Sequence, residues 1–136
     1  MEHALDDKGR LVVPARFRER LGARFIVTIA APEPCLALYP QPTWEAFCER
    51  LDGAAHKDEQ FRRFVRYVFA NTEETGCDGQ GRLLIPAGLR SYAGIDRDAV
   101  SIGTLSRVEV WAQERLEPQN PSPGDAAVFA AELGLY

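Results

Sequence analysis

Two arginines with identical surroundings have the most obvious capacity for chemistry in this chain: Arg10 in Asp6-x-x-Gly9-Arg10 and Arg82 in Asp78-x-x-Gly81-Arg82. An Asp carboxylate accepts hydrogen bonds from backbone N–H groups two residues on, and Gly takes a positive φ without steric cost. The pattern therefore encodes a tight bend from which the Arg leaves at a set angle. A guanidinium is a planar fork of donors, suited to phosphate oxygens and guanine edges. Spacing leaves two uses open. Arg10 and Arg82 hold the loops by pairing with Asp6 and Asp78 or their symmetry mates, or the loops present them to an anion; both hold if the acid orients the base.

The bends belong to a longer duplication. Residues 5–20 (LDDKGRLVVPARFRER) realign onto 77–92 (CDGQGRLLIPAGLRSY) with a shift of 72, and seven of 16 pairs are identical. Unrelated segments share roughly one by composition. Two copies are too few for a solenoid, which stacks about three or more, so the duplication predicts two halves of one pseudo-symmetric fold. Each copy has an Asp/Gly turn and an apolar run (Leu11, Val12, Val13; Leu83, Leu84, Ile85). A proline and a short amphipathic stretch follow, ending at Gly22 or Gly94. Strand, Pro at the first helical position, helix and Gly stop is the reading.

Between and after the copies, Arg24 to Ala30, Cys35 to Tyr39, Ala99 to Gly103 and Arg107 to Trp111 read as strands. Thr43 is placed to cap a helix with Trp44, Phe47, Cys48 and Leu51 on one face. A second helix carries Phe61, Phe64, Val65, Val68 and Phe69 at helical spacing, with Arg62, Arg63 and Arg66 opposite. Those arginines form either a solvated, ion-paired face or a DNA contact. Residues 115–125 hold Pro118, Pro121, Pro123 and Gly124 and cannot be helical throughout. Beyond them, Ala126 to Leu135 is a short helix using Val128, Phe129, Leu133 and Leu135 for docking, or a fraying end. The expected class is α+β, mainly β. One domain over 1–116 divides into repeat one (about 4–52), a helical connection (about 53–75) and repeat two (about 76–116), followed by a proline-broken tail, 117–136.

The net charge of −4 argues weakly against a polyanionic partner, but its distribution argues for one. Residues 8–24 hold Lys8, Arg10, Arg16, Arg18, Arg20 and Arg24 against Glu19 alone, whereas 78–97 hold three arginines against two acids. If the fold binds an anion, the first copy is the binding half. No stretch approaches about 18 apolar residues, and MEHALDDKGR lacks a basic-then-apolar signal, so a soluble cytoplasmic protein without a membrane partner is expected. Cys35, Cys48 and Cys77 lack any C-x-x-C pair and are read as small buried apolar residues. His3 and His56 are too few for a metal site, and His56 beside Asp58 and Glu59 is read as part of a solvated face. Cys48 and His56 have no third orienting group or oxyanion loop, so no catalysis, cofactor or small-molecule substrate is expected.

Four blocks together resemble the MraZ family: Leu5 to Pro14 with Phe17-Arg18, Cys35 to Pro40 with Trp44-Glu45, Asp78 to Pro86 with Leu89-Arg90 and Tyr92-Ala93-Gly94, and Ile102-Gly103 with Arg107 to Trp111. The similarity covers about residues 4–116, and Glu132 to Leu135 is similar to the family's ending. The resemblance implies a bacterial, nucleoid-associated transcriptional regulator acting, commonly as repressor, on the promoter of the division and cell-wall gene cluster. It implies a double-split β-barrel of the swapped-hairpin AbrB type, with one chain supplying both hairpins. It also implies a ring-shaped homo-oligomer binding short direct repeats in double-stranded DNA. The family's DNA-contacting Arg maps onto Arg10, with Lys8 beside it; Arg82 follows by internal symmetry, and the basic stretch adds Arg16 and Arg18. Asp6, Gly9, Asp78 and Gly81 form the turns. Members usually have several more residues ahead of the position of Leu5, so the expectation is either a short first strand or a true start upstream, and either weakens ring contacts made by that strand. The competing expectation is an antitoxin-like protein-interaction module built on the same hairpin.

Overall fold

The computed structural model describes residues 1–135; Tyr136, the last residue of the expected tail, lies outside the described residues. In chain order the elements are β1 (Glu2–Ala4), β2 (Arg10–Val12), α1 (Ala15–Leu21), β3 (Phe25–Ile29), β4 (Leu36–Pro40), α2 (Gln41–Asp52) and α3 (Glu59–Ala70). The second half supplies β5 (Glu73–Thr75), β6 (Arg82–Leu84), α4 (Ala87–Ala93), β7 (Asp98–Gly103) and β8 (Val108–Ala112). Then follow α5 (Gln113–Leu116), a 3-10 turn (Glu117–Gln119) and α6 (Pro123–Glu132). The protein is α+β, with its strands in one six-stranded antiparallel sheet and a separate two-stranded ribbon.

The sheet order, β1-β7-β8-β4-β3-β5, reads the same from either end once each strand is exchanged for its repeat mate. The register agrees residue by residue. In the ribbon Leu11 pairs with Leu83, its own mate 72 positions on, and at the sheet centre Ala37 pairs with Glu109, again 72 apart. A pseudo-two-fold axis therefore runs through both pairs. The first strand of each copy pairs with the other copy's half of the sheet: β1 with β7, and β5 with β3. The sheet is open, with β1 and β5 as its edges, not closed on itself.

Side chains of opposed residues share a face. One face of the sheet centre is Val27, Ile29, Leu36, Leu38, Val108 and Val110, which join Leu11, Val13, Leu83 and Ile85 in one buried cluster. On the opposite face Tyr39 stacks with Phe47 and lies against Trp44 of α2, and Trp44 meets Phe69 of α3. Glu109, on the axis, is held by Arg107 at 2.7 Å and by the Trp111 indole N–H at 3.0 Å, while Arg107 donates to the Tyr39 hydroxyl at 2.8 Å. A charge at a buried strand centre is thus fully partnered.

Several local expectations shift. Pro14 and Pro86 stand one position before their helices, with extended ψ near 145°, and fix the strand-to-helix turn. Thr43 is not a cap: α2 starts at Gln41 directly after Pro40, and Thr43 lies inside it. In α3 the cap is Asp58, whose carboxylate accepts the Phe61 N–H at 2.8 Å. β5 occupies part of the expected helical connection; three polar residues, Glu73-Glu74-Thr75, carry no hydrophobic alternation to announce a strand. Only Cys35 is fully buried, its thiol pushed up to about 12 chiefly by burial, while Cys48 and Cys77 are half-exposed.

Candidate nucleic-acid interface

The two hairpin loops have the same construction. In the first, Asp6 Oδ1 accepts the N–H groups of Lys8 and Arg10, both at 2.9 Å, and Oδ2 accepts Arg10 Nε at 2.7 Å. In the second, Asp78 Oδ1 accepts from Gln80 and Arg82 N–H, both at 2.9 Å, and Oδ2 accepts Arg82 Nε at 2.9 Å. Gly9 and Gly81 sit at φ +78° and +77°, where an L side chain is strained. Each glycine also bonds to the other copy's strand: Val13 N–H reaches Gly81 C=O at 2.9 Å, and Ile85 N–H reaches Gly9 C=O at 3.0 Å. Neither loop is complete without the other.

Hydrogen bonding sets the electrostatics. The Arg10 backbone N–H is the main reason the Asp6 carboxyl lies below the usual carboxylate range, and the Arg82 N–H does the same for Asp78. Both acids remain ionised and hold their arginines through Nε. Arg82 Nη1 also approaches Asp6 Oδ2 at 3.8 Å, which ties the two loops across the axis. Among the described residues the Nη groups of Arg10 have no hydrogen-bond partner. The Arg10 and Arg82 side chains are 28% and 26% exposed, so both reach solvent. Spacing left loop-holding and presentation open; in both loops the acid takes Nε, and among the described residues the outer nitrogens of Arg10, though not Nη1 of Arg82, are left without a partner.

The ribbon aligns four side chains on its outward face. Because Arg10 pairs with Leu84 and Val12 with Arg82, these four residues face one way while Leu11 and Leu83 face the core. Val12 and Leu84 are 53% and 55% exposed, unusual for apolar residues in a paired strand. Reading Leu11-Val12-Val13 as one apolar run concealed them. The available signal was alternation about Leu11, the position that mates with Leu83.

The remaining basic residues divide. Lys8 is exposed at the tip of the first loop, and Arg16 is exposed on α1, its guanidinium 4.8 Å from the Phe17 ring centre. Arg18 is half-buried: its guanidinium lies against Gly81 of the opposite loop, and its Nε is buried without a partner. Its mate Arg90, which sequence reasoning left out of the site, lies against Gly9 and donates Nε to Ile85 C=O at 3.0 Å. The helices thus brace the loops crosswise. Its recurrence at the same place in both copies was the signal for Arg90. The arginines of α3 lie on a helix apart from this ribbon. Among the described residues no cluster of three or more His, Cys, Asp or Glu could hold a metal ion, and no helix is long and apolar enough to cross a membrane.

Comparison with known proteins agrees with the doubled hairpin. The sequence model of the family described as "MraZ protein, putative antitoxin-like" matches residues 1–66 and 68–120. The chain is 45% identical over 130 residues to "Transcriptional regulator MraZ" of Desulfitobacterium hafniense (strain Y51), covering 96% of this chain and 90% of that one. It is 47% identical over 116 residues to the protein of that name from Pelotomaculum thermopropionicum, covering 85% and 79%. For that of Symbiobacterium thermophilum the identity is 42% over 131 residues, covering 96% and 94%. On this evidence the chain belongs to the MraZ family.

Proposed function

We propose that this chain is a sequence-specific DNA-binding transcriptional regulator that grips short direct repeats in the promoter of the division and cell-wall gene cluster, as repressor. The observation that carries the reading is the outward face of the β2/β6 ribbon. There Arg10, oriented by Asp6 through Nε alone, keeps its outer nitrogens unpaired beside the exposed Val12 and Leu84. A major groove admits a two-stranded ribbon; the guanidinium suits guanine O6 and N7, and the apolar pair suits thymine methyls. Lys8 and Arg16 add phosphate contacts, Arg82 reads from the second loop, and Arg18 supports that loop from beneath Gly81. The relatives' printed names agree with this role.

Residues 1–116 serve as one pseudo-symmetric barrel domain of the swapped-hairpin AbrB type, repeat two (76–116) joined to repeat one (4–52) through 53–75. The exchange of β1 and β5 between the halves supports this reading. A ring of such chains offers one basic loop per subunit to successive repeats along nucleoid DNA. Weak single contacts then sum to usable affinity.

The test is a gel shift on DNA upstream of the chain's own gene. With roughly three phosphates neutralised in each of about three subunits, the logarithmic salt slope is near −8. Arg10→Ala removes a contact worth about 1–3 kcal/mol in each engaged subunit and abolishes specific binding without changing assembly size. A flat salt response, or full binding by Arg10→Ala, refutes the reading. The antitoxin-like alternative, named in the family description, has the exposed apolar α6 in its favour and requires a second protein that co-purifies in stoichiometric amount.

A further inference from the structure

The outward face of the ribbon is nearly unchanged by half a turn. The axis through the Leu11–Leu83 pair exchanges Arg10 with Arg82 and Val12 with Leu84, so either orientation offers a groove almost the same four side chains. Direct repeats require every chain to lie the same way round. Polarity must then come from side chains that the axis does not match.

Interlocking of the copies decides what stands at each end of the ribbon. Val13 N–H bonds to Gly81 C=O and the Arg18 guanidinium lies against Gly81, so the second loop is flanked by α1, the first copy's helix. Ile85 N–H bonds to Gly9 C=O and Arg90 lies against Gly9, so the first loop is flanked by α4, the second copy's helix. Two open clefts repeat the arrangement: Arg18, Glu19 and Asp78 line one, and Asp6, Asp7 and Arg90 the other. Each end is one copy's loop beside the other copy's helix.

The cations are placed accordingly. At the first-loop end the exposed Lys8 stands at the tip, and α4 has the exposed Gly88 where α1 has Arg16. At the second-loop end the tip is the uncharged Gly79-Gln80, and the exposed Arg16 stands on the helix. Among the described residues neither Lys8 nor Arg16 forms an ion pair. The acids do not distinguish the ends by net charge: Asp7 lines one cleft and Glu19 the other, and Asp96 is offset by Arg97. A first copy that holds most of the charge along the sequence thus supplies one free cation to each end, a loop-tip ammonium at one and a helix guanidinium at the other.

We propose that Lys8 and Arg16 fix the polarity of the ribbon on duplex DNA. The ends are related by the ribbon's axis, so they face phosphates of opposite strands, and phosphate contacts set orientation. The inference rests on the DNA-binding function proposed above and names the residues that orient it.

The test uses the full chain and duplex DNA from upstream of its own gene. An iron chelate is tethered through Gly79→Cys, a position where a Cβ meets nothing within 4 Å, in a Cys48→Ser, Cys77→Ser background with the buried Cys35 kept. With Lys8 and Arg16 in place, strand cleavage is expected on one side of each repeat. The exchange Lys8→Gln, Arg16→Gly, Gln80→Lys and Gly88→Arg keeps the net charge, and Gly88 has the same open space. It is expected to move cleavage to the other side. Lys8→Gln and Arg16→Ala, single changes at exposed positions, are each expected to give cleavage on both sides and to lower the logarithmic salt slope by about 1 per engaged subunit. Three results overturn the polarity assignment and leave DNA binding standing: wild type cleaving on both sides, the single or exchanged variants cleaving on the wild-type side alone, or a folded exchanged variant that retains no DNA. The Arg82–Asp6 contact at 3.8 Å is then the remaining asymmetry beside the bases. A wild type that retains no DNA overturns the DNA-binding function itself.

Discussion

Crosswise bracing of the loops can be measured through the two glycines, because the mates differ in one hydrogen bond. An alanine Cβ at Gly81 would run into Arg18 Nη1, closer than one at Gly9 would come to Arg90 Cζ, which is 2.9 Å. Judged by the clash, Gly81→Ala is the worse change. Each forces an L side chain to φ near +78°, which costs about 1–2 kcal/mol. Arg18 Nε has no partner to lose, so its guanidinium swings out at little further cost. Arg90 must give up its bond to Ile85 C=O, worth about 1 kcal/mol for a half-exposed donor. The expected totals are about 1–2 kcal/mol for Gly81→Ala and about 2–3 kcal/mol for Gly9→Ala, the reverse of the steric order. Urea unfolding at one fixed protomer concentration measures both. Double-mutant cycles isolate the cause: Gly9→Ala with Arg90→Ala couples by about 1 kcal/mol, and Gly81→Ala with Arg18→Ala by under about 0.5 kcal/mol. Equal coupling energies, or a costlier Gly81→Ala, refute the bracing.

Acid unfolding and core truncation test the rest of the hairpin. Asp6 and Asp78 titrate below their unfolded values, so their contribution is complete above about pH 4 and is lost as pH falls through the folded values. Asp6→Asn is therefore expected to be less stable at pH 7 and to show a shallower loss below about pH 4, read by denaturant midpoints across pH; parallel curves contradict this. Leu11→Ala and Leu83→Ala, which truncate the fully buried pair on the axis, are expected to cost about 2–5 kcal/mol each and to agree within about 1 kcal/mol. Leu84→Ala, one residue on but outward, is expected to change stability by under about 0.5 kcal/mol in the same urea titration while weakening DNA retention.

What could be read from residue order was what local chemistry dictates. The Asp/Gly bends, the helices stopping at Gly22 and Gly94 and the apolar spacing of α3 all follow from φ preference or periodicity, and all are present. Long-range consequences were harder. That Leu11 meets Leu83 is implied by two-fold symmetry once the repeat is seen, but the exchange of β1 and β5 requires knowing which edge each strand joins. Thr43 has the chemistry of a cap, but Pro40 sets the turn and α2 starts at Gln41, which leaves Thr43 inside the helix. Basic residues could be counted but not sorted: Arg16 and Arg18 are two apart on α1, one outward and one wedged against Gly81.

The duplication explains why a chain of net charge −4 can still present a basic face. The residues that build the two bends and the ribbon centre are kept in both copies: Asp6 and Asp78, Gly9 and Gly81, Arg10 and Arg82, and Leu11 and Leu83, which pair on the axis, whereas Ala37 and Glu109, which also pair there, differ. Several positions outside that set differ in charge, with Lys8 against Gln80, Arg16 against Gly88 and Arg20 against Tyr92. Even Tyr92 has acquired a local task, donating its hydroxyl to Ala30 C=O. The shared turn and ribbon residues thus preserve the geometry of both hairpins while charge is concentrated on one. A single chain carries one strong contact surface and a weaker twin, so on the function proposed here affinity for repeated DNA sites must come from the number of chains engaged.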